Sequence, residues 1–292
     1  MGALIDATIN AIKTTHDVVG RALENIPDQA LQPFVPGRDS PRWIDAAARV
    51  TLEPEIAIAL KKTGRPAIFV YDGDQRDPGF DVTEDGKTTV LVTLMEGNFA
   101  GWRLNHWSSS LVFFQRGRIL AALIAVPNET AFFATDDRPG VYQWSLVHPQ
   151  DPPSEAHVGR HHSITTDTIM RLPFGSTQPG TICVMPDFYV EPHAGPLMCT
   201  RLFDNQRRAL AVFDPRPVAP CEFVAGAWLC LKAGGVALDR GGEPLTQDQL
   251  LSCLTTPFSL HSRRAYVLAP RSEHAKAILA KLSTEAEQGQ IH

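Results

Sequence analysis

Apolar residues recur at helical spacing from the start of the chain. Leu4, Ile5, Ile9, Ile12, Val18, Val19 and Leu23 fall on one stripe with few breakers between them, which predicts a helix over about the first thirty residues. A Pro- and Gly-bearing loop follows (PFVPGRDSPR, 33–42). Ile44, Ala47, Val50, Ile56 and Leu60 then mark a second helix from about Trp43 to Lys62. After the break at Thr63–Pro66 comes AIFVYDGD, a short apolar run closed by acids. Such a run reads as a buried strand that delivers Asp72 and Asp74 to its C-terminal end.

From Thr88 the pattern turns to strands: TTVLVTLMEG, SSSLVFFQ, RILAALIAVP and ETAFFAT, with a tight Gly turn at QRGR. This predicts an antiparallel meander. The stretch from Asp136 to Ser163 is polar and Pro-rich and reads as a surface excursion and a seam between two halves. Beyond it, TICVMP, ALAVFD, GVALDR and AYVLAP predict strands, with helices near Val224–Lys232 and His274–Leu282. Alternating helix and sheet predicts a layered architecture.

Composition narrows the class. With 43% hydrophobic and 20% charged residues the chain has enough apolar material for a core and is not of disordered type. A net charge of −5 gives no basic footprint for nucleic acid. No apolar run approaches the roughly 18–20 residues a membrane helix needs, and the acid-bearing N-terminus does not resemble a signal peptide, so a cytoplasmic location is expected. Five scattered cysteines with no C-x-x-C pair argue for reduced, buried thiols over disulfides or zinc.

The most specific stretch is CEFVAGAWLCLKAGGVALDRGGEPL, from Cys221 to Leu245. Val224, Ala227, Trp228 and Leu231 form a helical stripe, Gly234 and Gly235 supply its stop, and Glu222 falls in the first turn. There the free N–H groups and the macrodipole favour negative charge, so on spacing alone Glu222 serves to stabilise the helix.

These residues resemble the W-D-x-A-A-G helix, the E-A-G-G stop and the G-x-P-L turn of the inositol monophosphatase-like and fructose-1,6-bisphosphatase-like sugar phosphatase superfamily. Glu222 falls on that family's metal-binding aspartate and Cys221 on its tryptophan. A second segment, Thr93 to Phe99, is similar to the family's D-P-L-D-G-T followed by Asn-Phe, and Ser110, Leu111, Gly117, Ile124 and Pro127 continue the likeness. Thr93 then takes the place of the first aspartate, Glu96 of the second and Asn98 of the phosphate-contacting threonine. The Gly97–Asn98 step keeps a backbone suited to cradling an oxyanion. AIFVYDGDQ resembles the strand ending in G-E-E, with Asp72 on the first glutamate, or Asp74 if the register slips by two. Asp39 and Asp45 reproduce the spacing of D-x-V-T-x-x-D, with Arg42 where the family has a water-activating threonine.

The resemblance implies an α+β fold, a layered αβαβα sandwich of the inositol monophosphatase type with mixed and antiparallel sheets. It divides into an N-terminal half (1–150) with most of the site acids and a C-terminal half (151–292) with Glu222 and a substrate-facing segment. It implies Asp72, Glu96 and Glu222 as Mg²⁺ ligands, Glu96, Arg42 and Asp45 in catalytic positions, and Thr93, Gly97, Asn98, His106 and His193 toward a substrate or its phosphate. It also implies a homodimer and a small-molecule substrate. Because Thr93 cannot bridge two cations with charge, and because each retained carboxylate differs in length from the family's, fewer ions than the family norm are expected, or none. Three functions are consistent with that. One is a phosphomonoesterase using Mg²⁺ at a rearranged carboxylate site. The second is an enzyme turned to non-phosphatase acid/base chemistry on a small metabolite, and the third a non-catalytic relative that binds a ligand or partner.

Overall fold

The structure is a computed structural model. It describes residues 2–25, 49–71, 87–94, 108–115, 117–159, 169–172, 189–192, 195–203, 209–255 and 264–287. Helix α1 (Gly2–Asn25) carries the predicted apolar stripe and packs on α2 (Glu53–Lys62). The second helix is not continuous over its described part. Residues 49–51 are helical, Leu52 is a turn, and α2 starts afresh at Glu53 with Pro54 in its first turn. Proline has no N–H to donate and fits only the first turn of a helix, which places the break.

Both helices cover one face of a seven-stranded sheet whose spatial order follows the chain. Its strands are β1 (Ala67–Tyr71), β2 (Thr88–Leu94), β3 (Ser109–Gln115), β4 (Arg118–Ala125), β5 (Thr130–Thr135), β6 (Val141–Ser145) and β7 (Ser154–Ala156). Only β1 and β2 are parallel; every other neighbour is antiparallel. The predicted meander is therefore present, turned between β3 and β4 by Gly117 at φ +83°. The polar stretch after Asp136 is not a mere excursion: Val141 and its neighbours pair with β5, and β7 extends the sheet once more.

A second, five-stranded sheet has the order β11–β12–β10–β8–β9, built from β8 (Ile169–Leu172), β9 (Tyr189–Pro192), β10 (Ala209–Val218), β11 (Val236–Asp239) and β12 (Arg264–Ala269). It is mixed, with β8 parallel to both β9 and β10. The predicted strand TICVMP lies outside the described residues.

Between the sheets lie α3 (Gly195–Thr200), α4 (Pro220–Lys232) and α5 (Gln247–Thr255), and α6 (Ser272–Glu287) covers the outer face of the second sheet. The layers thus run α, β, α, β, α. The middle position explains why α4 exceeds its predicted stripe. Phe223, Ala225 and Leu229 lie off the stripe yet are buried along with it, because a sheet faces the helix on each side and an all-apolar helix is the stable solution there. No described helix is long and apolar enough to cross a membrane.

Candidate functional site

The end of β2 and the start of α4 meet. β2 runs as an apolar strand buried on both faces until Thr93, and β3 enters beside it with Ser108, Ser109 and Ser110, all buried. Thr93 and Ser110 are register partners and share the face toward α4. The Thr93 Oγ1 hydroxyl donates to the Cys221 carbonyl at 3.0 Å, and Ser110 Oγ donates to the same oxygen at 3.4 Å. Ser109 points to the other face by strand alternation, where its Oγ lies 2.8 Å from His16 Nε2 on α1. Burial holds the His16 imidazole down at about 3, so it stays neutral.

The first turn of α4 closes on itself. Pro220 has no N–H to leave unsatisfied, and the Glu222 carboxylate reaches back so that Oε2 accepts from the Ala219 N–H at 2.9 Å. This is the acidic half of a capping box. The carboxylate also lies in the field that keeps Tyr266 protonated. Burial first, then the charges of Cys199, Asp214 and Glu222 and a hydrogen bond with Cys199, push the Tyr266 phenol well above its ordinary value. Tyr266 stacks on Phe223 at 5.6 Å and sits opposite the buried Asp214 across the β10–β12 pair. Cys199, Cys221, Cys230 and Cys253, the described cysteines, are buried thiols that form no disulfide; burial raises the Cys230 thiol to about 12.

Of the site positions named from the sequence, Thr93 and Glu222 are described, and the fold brings the elements that carry them together. Glu96, Arg42, Asp45, Asp72, Gly97, Asn98, His106 and His193, with the alternatives Asp39 and Asp74, lie outside the described residues. The sequence reading missed His16, Asp214, Tyr266 and Cys199. For His16 the signal was the Ser108–Ser110 run at a strand start, since a buried polar run requires polar partners from other elements; Asp214, Tyr266 and Cys199 carried none.

Mg²⁺ takes hard oxygen ligands in near-octahedral array. Thr93 presents a hydroxyl whose proton is directed at a backbone carbonyl, and Glu222 is folded back on its own helix. Among the described residues no three or more of His, Cys, Asp and Glu gather in a way that would hold a metal. Thr93, a neutral hydroxyl, does not fit the place of a charged bridge between two ions, whereas Glu222 keeps a second carboxylate oxygen.

Comparison with known proteins agrees with the architecture. No family sequence model and no curated protein sequence matches the chain. Solved structures do match along nearly its full length. The Thermotoga maritima IMPase superposes with TM-score 0.68 at 12% identity, covering 98% of each chain. CysQ from Bacteroides thetaiotaomicron, a bacterial member of the inositol monophosphatase family, gives 0.60 at 14%, covering 92% of this chain and 96% of its own. The 2′-AMP-bound IMPase-II of Staphylococcus aureus gives 0.59 at 15%, covering 96% of each. The layered αβαβα sandwich is therefore of the phosphatase type that the sequence resembles. In particular, it is the inositol monophosphatase fold.

Proposed function

We propose that this chain is a divergent inositol-monophosphatase-fold protein that binds a small phosphorylated metabolite near the β2–α4 joint without the family's full multi-magnesium centre. Fast metal-dependent phosphomonoester hydrolysis is lost with that centre. The observation that carries the reading is the double closure of the joint: Thr93 Oγ1 on the Cys221 carbonyl and Glu222 Oε2 on the Ala219 N–H. Both groups stand where the resemblance puts metal-binding carboxylates, and both are engaged in holding α4. A phosphate still requires positive charge, and Arg42, at the family's water-activating position in sequence, supplies a guanidinium that can pair with it directly. The fold neighbour that holds 2′-AMP supports a phosphate ester as the ligand class.

The test is a panel of sugar, inositol and nucleoside monophosphates assayed for thermal stabilisation and for phosphate release, each with Mg²⁺ and with chelator. The expected result is stabilisation by some of the panel that survives chelation and is lost in Arg42→Gln, with little phosphate released. Vigorous Mg²⁺-dependent release that chelation abolishes would overturn the reading.

That outcome would favour a second one, phosphomonoester hydrolysis with a single Mg²⁺. Its support is that Asp72, Glu96 and Glu222 remain carboxylates, and these are the residues that would hold the ion. A shorter Asp72 facing longer Glu96 and Glu222 is the compensation such a site requires.

A further inference from the structure

The end of the first sheet opposite the β2–α4 joint carries a groove of about 520 Å³, within the range of roughly 300–1,000 Å³ usual for small-molecule sites. The two ends are well separated: β4 runs from Arg118 at the groove to Ala125, the partner of Ser109, at the joint. That is about 23 Å at 3.3 Å per residue. The groove lies between the first turns of α1, the length of α2 and the start of β4. Its floor is apolar, with Leu4, Leu60 and Leu120 buried beneath Ala7 and Ala59, and Ile58 stands at its mouth 51% exposed.

The charges around this floor are unequally committed. Asp136 pairs with Arg118 at 3.6 Å. Asp137 takes a hydrogen bond from the Thr135 hydroxyl. Glu55, exposed in the first turn of α2 where it complements the helix dipole, makes no ion pair among the described residues and stands about ten residues along the chain from Arg65. Arg65, half-buried on the groove wall, also makes no ion pair among the described residues, nor does Lys62 beside it. The guanidinium of half-buried Arg65 at the edge of an apolar trough, where Arg118 holds Asp136, is complementary to an anionic head on an apolar body.

We propose that this groove is a second ligand site, separate from the β2–α4 joint, that takes a medium-chain carboxylate. The head pairs with Arg65 and Lys62, and the chain lies over Leu4, Ala7, Ile58 and Leu120. This stands independently of the function proposed above, since it uses no residue of the joint.

The experiment is calorimetric titration of the full chain with decanoate, below its micellar concentration, and with decan-1-ol as the uncharged equivalent. Decanoate is expected to bind at one site per chain and decan-1-ol about tenfold more weakly, the scale of a charge-assisted pair. Arg65→Gln should lower decanoate affinity by about the same factor and leave decan-1-ol unchanged. Ile58→Asp, at an exposed position that does not threaten folding, should abolish decanoate binding by placing a like charge at the mouth. Thermal denaturation of both variants checks that each is folded. No decanoate binding to the wild type, equal affinity for the alcohol, or an Arg65→Gln variant that binds decanoate unchanged would each overturn the proposal.

Discussion

Thr93 and Cys221 stand 128 residues apart in sequence and are joined by a buried hydrogen bond of 3.0 Å from a side-chain hydroxyl to a backbone carbonyl. That bond ties the end of a strand to the first turn of a helix in the next layer. In the family the sequence resembles, the corresponding residue is an aspartate that binds metal. An aspartate could not make this contact, because a carboxylate and a carbonyl are both acceptors.

Thr93→Val removes the donor and keeps the shape. It should cost about 1 kcal/mol in urea denaturation, the usual net value of such a bond, with Ser110 left as a donor to the Cys221 carbonyl. Thr93→Asp should cost more, on the order of 3 kcal/mol or above, because it sets a buried charge against an acceptor. If Mg²⁺ restored the stability of Thr93→Asp to that of the wild type, the remaining acids would be competent to complete a metal centre.

Glu222 separates a cap from a ligand. Glutamine also serves at the third position of a capping box, so Glu222→Gln should stay within about 0.5 kcal/mol of the wild type, and Glu222→Ala should cost about 1 kcal/mol. Thermal unfolding with and without Mg²⁺ provides the check. A Glu222→Gln variant that unfolds like the wild type in chelator but loses a Mg²⁺-dependent gain in melting temperature would identify the carboxylate as a metal ligand instead.

The punctuation of the chain was readable wherever local chemistry dictated it. The Gly117 turn, the alternation of TTVLVTL with SSLVFFQ and RILAALIA, and the apolar run of α4 each determine their own geometry. The layer order followed from the family likeness of Cys221–Leu245 and Thr93–Phe99. The break at Leu52 was missed because the apolar spacing of Ile44 to Leu60 runs straight through it, although Pro54 marked the place. Strands β6 and β7 were missed because their polar residues lie near a sheet edge, where alternation is weak. At the site, the acids could be named from the motif. Their direction could not, since the turn of Glu222 back onto Ala219 depends on one extra methylene and on Pro220 leaving no N–H of its own. The pairing of His16 with Ser109 depends on two elements far apart in sequence.

His16 gives the fold a pH dependence of definite sign. Its folded value of about 3 lies below the ordinary 6.5, so below that ordinary value the unfolded chain binds a proton that the folded chain refuses. Stability from this group is fully present above about pH 6.5 and is lost as pH falls toward 3, by up to roughly 4 kcal/mol. His16→Gln, which keeps a hydrogen-bonding group near Ser109, should flatten the stability profile between about pH 6 and 4. Urea denaturation across that range measures it; an unchanged slope would mean that other groups set the acid limit.

Gly226 tests the packing of the middle layer. A Cβ built there would collide with Cys199 Sγ and lie 2.6 Å from Cys199 Cβ, far inside contact distance. The thiol can rotate away, but the Cβ belongs to α3 and cannot. Gly226→Ala should therefore move α3 from α4 and cost about 3 kcal/mol or more, at the upper end for overpacking in a dense core. Cys199→Gly removes both opposing atoms, so the double variant should recover part of that loss despite the added flexibility of a second glycine. Because α3 and α4 share the layer that carries Glu222, ligand stabilisation measured at the joint should fall in Gly226→Ala and return with the second substitution. If the two changes were simply additive, the close approach at Gly226 would not set the helix spacing.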